Sequence, residues 1–182
     1  MILLKKIHDR DLFKDADTQH GIYNDRKLSV RAVVLDSAQK IALVYIKNRG
    51  YHKLPGGGVE DGESIAASLK RELREEVGCE VTLLHEVGRV IEYRDRAQQM
   101  RESFCWVARS MGELQEPQLT PDEKEKGLEI QWMGLEEAIN VMRNEYVDNY
   151  FGMFIHAREL VFLIEAKRII DSGLSSYFFN NR

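Results

Sequence analysis

Three glutamates that could bind a divalent cation lie close together in the first half of the chain. Glu72, Glu75 and Glu76 belong to the segment 64–77, which is followed by Gly78. Apolar side chains recur in this segment at four-residue steps: Ile65, Leu69 and Leu73. The repeat predicts a helix, and the glycine marks its C-terminal end. All three carboxylates would share one helix face and repel each other, a conflict that oxygen-seeking Mg²⁺ or Mn²⁺ would remove.

The residues around these glutamates follow a longer pattern with fixed spacing. Gly57 is followed after five residues by Glu63, and after seven more by the run 71–73, Arg-Glu-Leu. Glu75-Glu76, Gly78 and Cys79 complete it. This spacing resembles the Nudix box, with the small hydrophobe Cys79 at the apolar last position. The resemblance covers residues 28–145 and implies an α/β/α sandwich with a mixed β-sheet. It also implies a hydrolase of nucleoside diphosphates linked to another group.

The resemblance implies a metal site built from the box. It places the carboxylate of Glu76 and the backbone carbonyl of Gly57 on Mg²⁺ or Mn²⁺. Glu72 and Glu75 are implied as further ligands or as groups that orient the attacking water. We expect Glu75 and Glu76 to be the principal ligands, and Glu72 to act as ligand or base.

Other charged residues are expected to support this site. The resemblance implies that Arg71 pairs with Glu63 and orients the ligand helix, which suits the fork-shaped guanidinium. A further carboxylate from a distant loop often serves such enzymes as base or ligand. Glu116, Glu123 and Glu125 are the candidates here, and we favour Glu123 or Glu125; a solvated run of charges is the alternative.

Candidate substrate-binding residues lie outside the box. Arg31, Lys53 and Arg94 could neutralise phosphate, although each is more often a solvated surface charge. Aromatic residues in strands more often belong to the core, but four of them could stack on a base: Tyr93, Trp106, Tyr51 and Phe104.

Composition predicts one ordinary globular domain. The chain has 182 residues, 43% hydrophobic and 31% charged, with a formal net charge of −4. This balance argues against duplex nucleic-acid binding, which usually involves a basic domain. The apolar runs are too short for a membrane helix, and the N-terminus does not have the charge order of a signal peptide, so we expect a cytoplasmic protein. Cys79 and Cys105 are expected to be buried thiols.

The order of elements is predicted as follows. Residues 1–27 form an extension, containing a short strand, that acts as a flap or as a pairing arm in a homodimer; residues 28–182 form a single domain. Strands are expected at 28–35, 41–46, 51–54, 81–93 with a bulge at Gly88, 102–109 and 129–133. Helices are expected at 135–143 and 153–171, and a polar loop at 111–127. The final helix is apolar enough to be packed on two sides or to help form a dimer.

The sequence restricts the choice of substrate class only by elimination. The window 95–97 has no tyrosine of the kind that dinucleoside polyphosphate hydrolases carry, and Arg94 replaces the proline of many ADP-ribose hydrolases. A nucleoside triphosphate therefore becomes the first choice, with nucleotide sugars or ADP-ribose as alternatives. A nucleotide-sensing domain without activity is the other alternative, but a sensor has no need to keep Glu72, Glu75 and Glu76 together.

Overall fold

A computed structural model describes residues 1–14, 16 and 21–174. Seven strands and five α-helices follow one another in this part of the chain. They are β1 Leu3–His8, α1 Asp9–Leu12, β2 Asp25–Leu35, β3 Ile41–Ile46, β4 Tyr51–Lys53, α2 Ile65–Val77, β5 Glu80–Arg94, β6 Gln99–Met111, α3 Pro121–Lys126, β7 Leu128–Met133, α4 Leu135–Asn144 and α5 Tyr150–Ile169.

The strands form one mixed sheet. Its order is β1-β5-β6-β2-β3-β4, and β7 pairs with β3. The pairs β1/β5 and β2/β6 are parallel, whereas β5/β6, β2/β3, β3/β4 and β3/β7 are antiparallel. The mixed sheet of the predicted fold is therefore confirmed.

Helices cover both faces of the sheet. Successive side chains of β2 point to opposite faces, so this strand contributes apolar residues to the core on each side. Val30, Ala32 and Val34 pack with the buried side of α2. Val33 and Leu35 belong to the opposite core, which contains buried residues of the last two helices: Ala138, Ile139, Met142, Phe154, Phe162, Leu163, Ala166 and Ile169. The α/β/α sandwich is confirmed. Cys79 and Cys105 are buried free thiols, as predicted.

Two of the predicted segments differ from the observed elements. The polar loop predicted at 111–127 contains α3, whose Thr120 side chain caps the helix by accepting a hydrogen bond from the backbone of Glu123. The final helix begins at Tyr150, three residues earlier than predicted, because Asn149 caps it through Gly152. This earlier start brings the aromatic residues Tyr150 and Phe151 into the helix.

The N-terminal segment joins the sheet. β1 pairs in parallel with β5, and the bulge predicted at Gly88 is confirmed by a shift in the pairing of β5 with β6. The boundary proposed after residue 27 falls within β2, and residues 15 and 17–20 of the extension lie outside the described residues. A flap or dimer arm stays a prediction. None of the helices in the described ranges combines the length and apolarity needed to cross a membrane.

Candidate active site

The predicted ligand helix is α2. Ser64 caps its N-terminus by accepting a hydrogen bond from the backbone of Ala67 at 3.2 Å. Gly78 ends it in the left-handed conformation, with φ 71°, which glycine adopts at little cost. Leu69 and Leu73 anchor the helix to the core. The predicted helix is confirmed, and its anchoring fixes the direction of the carboxylates.

Three carboxylates come together, two from α2 and one from α3. One oxygen from each of Glu72, Glu76 and Glu123 lies within 4.8 Å of the other two. Glu72 and Glu76 are both buried, and they are one helical turn apart. Glu75 is not part of this group, and its Oε2 accepts a hydrogen bond from Arg71 Nη1 at 3.0 Å. The structure therefore assembles Glu123 rather than Glu75 with the other two carboxylates.

The glycine turn before α2 lies directly against these carboxylates. A Cβ atom on Gly57 would lie 2.3 Å from Oε1 of Glu72, so a larger residue would push that side chain away. The backbone N–H of Gly56 donates to Glu76 Oε2 at 2.7 Å. The Gly57 carbonyl accepts from the backbone N–H of Val30 at 3.0 Å and from Arg31 Nη1 at 3.2 Å. The turn thus holds both buried carboxylates in place.

Arg71 pairs with Glu63, as predicted. Its Nε donates to Glu63 Oε1 at 3.1 Å and its Nη2 to Oε2 at 3.0 Å. Its Nη1 donates to Glu72 Oε1 at 3.0 Å. The hydrogen bond from Arg71 lowers the pKa of Glu63. Arg71 therefore links the loop before α2 to the carboxylates on it.

Glu72 is in an environment that disfavours its charge. Burial raises the pKa of its carboxyl group, and the nearby charge of Glu76 adds to this effect. The hydrogen bond from Arg71 acts in the opposite direction but does not cancel the increase. Two acidic side chains held this close, with one pKa already raised, are a setting in which a bound cation would relieve repulsion.

Glu123 reaches the group from α3. Its Oε2 accepts hydrogen bonds from the backbone N–H and from Oγ1 of Thr120, both at 2.8 Å. This reciprocal cap fixes the side chain at the start of the helix. Glu125 of the same helix is exposed, and the side chain of Asn48 donates to its backbone carbonyl.

A pocket of about 420 Å³ opens beside these carboxylates. Its wall contains both charged and apolar or aromatic residues. The charged residues are Arg31, Arg49, Lys53, Glu76, Asp122, Glu123 and Lys126. The apolar and aromatic residues are Ile46, Tyr51, Leu128, Tyr150, Phe151 and Ile155. A ligand that combines an anionic group with a flat apolar group fits this lining.

The donor set suits Mg²⁺ or Mn²⁺. Glu72, Glu76 and Glu123 offer carboxylate oxygens, which are hard ligands. The carbonyl of Gly57, the further ligand that the resemblance implies, accepts hydrogen bonds from Val30 and Arg31. The three carboxylates fit the ion that the sequence pattern implies.

Comparison with known proteins decides the family. The family model described as "NUDIX domain" matches residues 25–153. The chain belongs to the Nudix family. Nudix hydrolase 13, mitochondrial, of Arabidopsis thaliana is 24% identical over 129 residues, which are 66% of this chain and 63% of that relative. The chain thus matches less than two thirds of the length of that curated protein.

Solved structures of Nudix-type proteins share the fold. The MutT protein from Methanosarcina mazei Go1 superposes with a TM-score of 0.53 at 18% identity, covering 79% of this chain and 96% of that one. A NUDIX hydrolase from Nitrosomonas europaea gives a TM-score of 0.54 at 19% identity, covering 73% and 88%. At these identities the likeness extends to the fold of the Nudix domain.

The predicted substrate-binding residues are divided between the pocket and other places. Arg31 and Lys53 line the pocket. Arg94 is not among the residues that line the pocket; it is buried, and its guanidinium is paired with Glu92 at 2.6 Å. Its guanidinium carbon lies 5.3 Å from the ring centre of Phe151, so Arg94 contacts a residue of the pocket wall.

Of the predicted stacking residues, Tyr51 lines the pocket, whereas Tyr93 and Trp106 lie elsewhere in the sheet. Tyr93 stacks on His8 of β1, with ring centres 4.5 Å apart. Trp106 packs against the core beneath α2. The aromatic residues that do line the pocket are Tyr51, Tyr150 and Phe151. The last two were missed because the helix that carries them was predicted to start later.

Two buried charges in the final helix of the Nudix chain were also missed. Arg158 and Glu159 are both fully buried and bonded to each other at 2.5 Å. Glu159 also accepts from Arg31 Nε at 2.8 Å, which connects the helix to the pocket. The signal was an adjacent pair of opposite charges in the middle of an otherwise apolar helix.

Proposed function

We propose that the protein is a metal-dependent pyrophosphohydrolase that cleaves a nucleoside diphosphate linked to another group. Glu72, Glu76 and Glu123 come together beside a pocket whose wall contains both charged and aromatic residues, and this arrangement carries the proposal. Each feature alone has a structural explanation. Together they bring candidate ligands, cationic side chains and an apolar platform to one place.

The carboxylates would hold Mg²⁺ or Mn²⁺, with the Gly57 carbonyl as a further ligand. When bound, the ion neutralises phosphate charge and acidifies the attacking water. Water adds to one phosphorus atom and loses a proton, and the P–O bond of the anhydride breaks. The products are a nucleoside monophosphate and the phosphorylated second group, which is pyrophosphate when the substrate is a nucleoside triphosphate. Glu72 is the ligand or base, Glu76 and Glu123 are ligands, and Glu75 is an outer carboxylate held by Arg71.

Arg71 and Glu63 act as positioning residues in this proposal. Their two-point pairing fixes the guanidinium, and the remaining Nη1 of Arg71 fixes one oxygen of Glu72 and one of Glu75. Charge-assisted pairs of this kind restrict the orientation of the groups that they join. Without them, repulsion would spread the carboxylates of α2 apart.

The charged and aromatic residues of the pocket suit the two ends of a nucleotide. Lys53 and Arg49 line the pocket and would neutralise phosphate oxygens. Phe151, which is 47% exposed despite its large apolar ring, offers a face for a nucleobase. The buried guanidinium of Arg94 contacts this ring.

A nucleoside triphosphate is the first choice of substrate. A nucleotide sugar or ADP-ribose is the alternative, because the same charged and aromatic residues would accept either. A sensor without activity is disfavoured because Glu72 and Glu76 are kept, both buried, against the glycine turn. A homodimer, a cytoplasmic location and the lack of duplex nucleic-acid binding stay predictions from the sequence.

A screen with coupled phosphate release tests the proposal. Inorganic pyrophosphatase converts the pyrophosphate formed from nucleoside triphosphates to phosphate, and alkaline phosphatase releases phosphate from the monoesters formed from the other compounds. Nucleoside triphosphates, nucleotide sugars, ADP-ribose and dinucleoside polyphosphates are incubated with the protein, with and without Mg²⁺ or Mn²⁺. We expect one class to turn over, EDTA to abolish turnover and added metal to restore it. Full turnover after chelation would contradict the metal site. Thermal stabilisation by one compound without any turnover would favour the sensor.

A further inference from the structure

Two of the candidate metal ligands, Glu72 and Glu76, are already paired with cationic side chains of the protein itself. Lys53 Nζ donates to Glu76 Oε1 at 2.6 Å, and Arg71 donates to Glu72 and Glu75. Three carboxylates this close would otherwise repel each other strongly, since two of them are buried. Each of these cations competes with a metal ion for a carboxylate oxygen.

Arg71 is fixed and Lys53 is not. Arg71 is held by both oxygens of Glu63 and by the carbonyl of Gly58 at 3.1 Å. Lys53 has one carboxylate partner, Glu76, and one weaker contact, to the Gly56 carbonyl at 2.9 Å. Its ammonium is a compact charge on a flexible four-carbon stem, which can move without rearranging the backbone.

The pocket provides open space into which the Lys53 side chain could move. It lines the pocket and keeps 12% of its surface exposed, whereas Glu76 beneath it keeps 2%. The other oxygen of Glu76 is bound by the backbone N–H of Gly56, so Oε1 is the oxygen over which Lys53 and an ion compete. Withdrawing from this oxygen brings the ammonium into the space where the phosphates of a substrate are proposed to bind.

We propose that Lys53 is a displaceable counter-ion of the metal site. It neutralises Glu76 in the metal-free protein, gives up Oε1 when a divalent cation binds, and then serves the anionic substrate. This inference rests on the proposed metal-dependent function. Lys53 would bind first to Glu76 and then to the substrate. Metal binding would thereby increase the positive charge within the pocket.

Metal affinity in the absence of substrate tests the exchange. Mn²⁺ binding to the metal-free wild type, Lys53→Met and Lys167→Met is measured by isothermal titration calorimetry. Lys167 is the matched control, because it pairs with Glu136 and Asp171 far from the box. Removing a competing cation from a partly buried carboxylate should tighten Mn²⁺ binding in Lys53→Met by about tenfold. Lys167→Met should bind as the wild type does.

Two other roles for Lys53 give different results. If Lys53 only braces the glycine turn through Gly56, its loss weakens Mn²⁺ binding. If it only contacts substrate, the metal affinity is unchanged and the KM alone rises. Either result overturns the proposal. A wild type that binds no Mn²⁺ would instead overturn the proposed function, so the two failures are distinguishable.

Amine labelling of the wild type provides a second test that needs no variant. The protein is treated with acetic anhydride, with and without saturating Mn²⁺, and acetylation at each lysine is measured by mass spectrometry. We expect Mn²⁺ to raise acetylation of Lys53 several-fold, because the freed amine is no longer bonded to Glu76, and to leave Lys167 unchanged. No increase at Lys53 would overturn the proposal, even if Lys53→Met does not fold.

Discussion

Arg31 donates from Nε to Glu159 Oε1 over 2.8 Å, and both side chains are almost completely shielded from solvent. The same guanidinium donates from Nη1 to the carbonyl of Gly57 at 3.2 Å. Glu159 in turn is bonded to Arg158, which pairs with Glu92 at 2.9 Å. A chain of buried charges therefore runs from the sheet through α5 to the glycine turn of the candidate site.

Glu159→Gln should destabilise the fold substantially. Removing the carboxylate charge leaves Arg31 and Arg158 buried without their shared partner, which typically costs about 3–5 kcal/mol of unfolding free energy. Urea unfolding followed by circular dichroism measures the loss. In the matched control, Glu165→Gln breaks the pair with the exposed Arg168 on the same helix and should cost less than about 1 kcal/mol. Similar losses in both variants would show that the buried network contributes no more than a surface pair.

The Glu159 network also explains why part of the site could not be predicted from the sequence. The α2 helix was predictable because Leu69 and Leu73 mark its buried face and Gly78 ends it. The adjacent charges Arg158 and Glu159 indicate a buried pair but do not identify its further partner, Arg31, which is 128 residues away from Glu159 in the chain. The burial of Glu159 depends on how α5 packs across the sheet. The spacing of apolar residues in the sequence does not show this packing.

The α3 helix shows a different limit. Its residues are mostly exposed and charged, and none of them is buried, so no apolar repeat indicates a helix. The cap formed by Thr120 and Glu123, together with Pro121, fixes its start. That local signal was present in the sequence as Thr-Pro-Asp-Glu, the pattern of a capping box. This pattern assigns the capping role in the first turn to Glu123 and not to Glu125.

Glu76→Gln should leave the fold intact and reduce turnover by a factor of roughly a hundred or more, the scale of losing a main catalytic contact. The amide keeps the shape of the side chain but loses the charge that binds the ion. Steady-state kinetics on the substrate found by the screen measure the effect. Glu129→Gln, on the exposed pair with Lys47, is the control and should keep wild-type rates. Wild-type turnover in Glu76→Gln would remove this residue from the mechanism.

Glu123→Gln should weaken metal binding and turnover, whereas Glu125→Gln should not. Only Glu123 places an oxygen within 4.8 Å of Glu72 and Glu76. Losing one charged ligand should lower Mn²⁺ affinity by about tenfold or more, as measured by calorimetry. Because Glu123 also caps α3, Thr120→Ala serves as a control that removes the cap hydroxyl and keeps the carboxylate. Equal losses in Thr120→Ala and Glu123→Gln would assign the effect to the cap.

Gly57→Ala should damage the site, whereas Gly58→Ala should have little effect. A methyl group at Gly57 would lie 2.3 Å from Glu72 Oε1, whereas one at Gly58 meets nothing within 4 Å. The clash displaces Glu72 and separates the candidate ligands, so Mn²⁺ affinity and turnover should fall by about tenfold or more in Gly57→Ala alone. Calorimetry and kinetics on the two variants check this. Matching behaviour of the variants would show that Glu72 adapts without cost.

The His52–Glu145 pair should make stability depend on pH. Burial of His52 disfavours its charged form, but the hydrogen bonds that the ring donates to Glu145 and Gln131, together with the charge of Glu145, outweigh this and raise the pKa of the imidazole. The other ring nitrogen faces Gln131 Oε1 at 3.1 Å, so the doubly protonated ring satisfies both acceptors. Because the folded-state pKa exceeds the unfolded value of about 6.5, this stabilisation is complete below that pH and is lost as pH rises through the folded-state pKa.

Glu145→Gln should reduce this pH dependence. We expect the Tm of the wild type to fall by a few degrees between about pH 6 and pH 9 through this pair, and Glu145→Gln to show a smaller fall. Differential scanning calorimetry across the range measures both proteins. His156 Nε2 lies 3.8 Å from the same carboxylate, so Glu145→Gln/His156→Gln is compared with His156→Gln alone to isolate the contribution of His52. Parallel Tm profiles for these two variants would contradict a role for the His52–Glu145 pair.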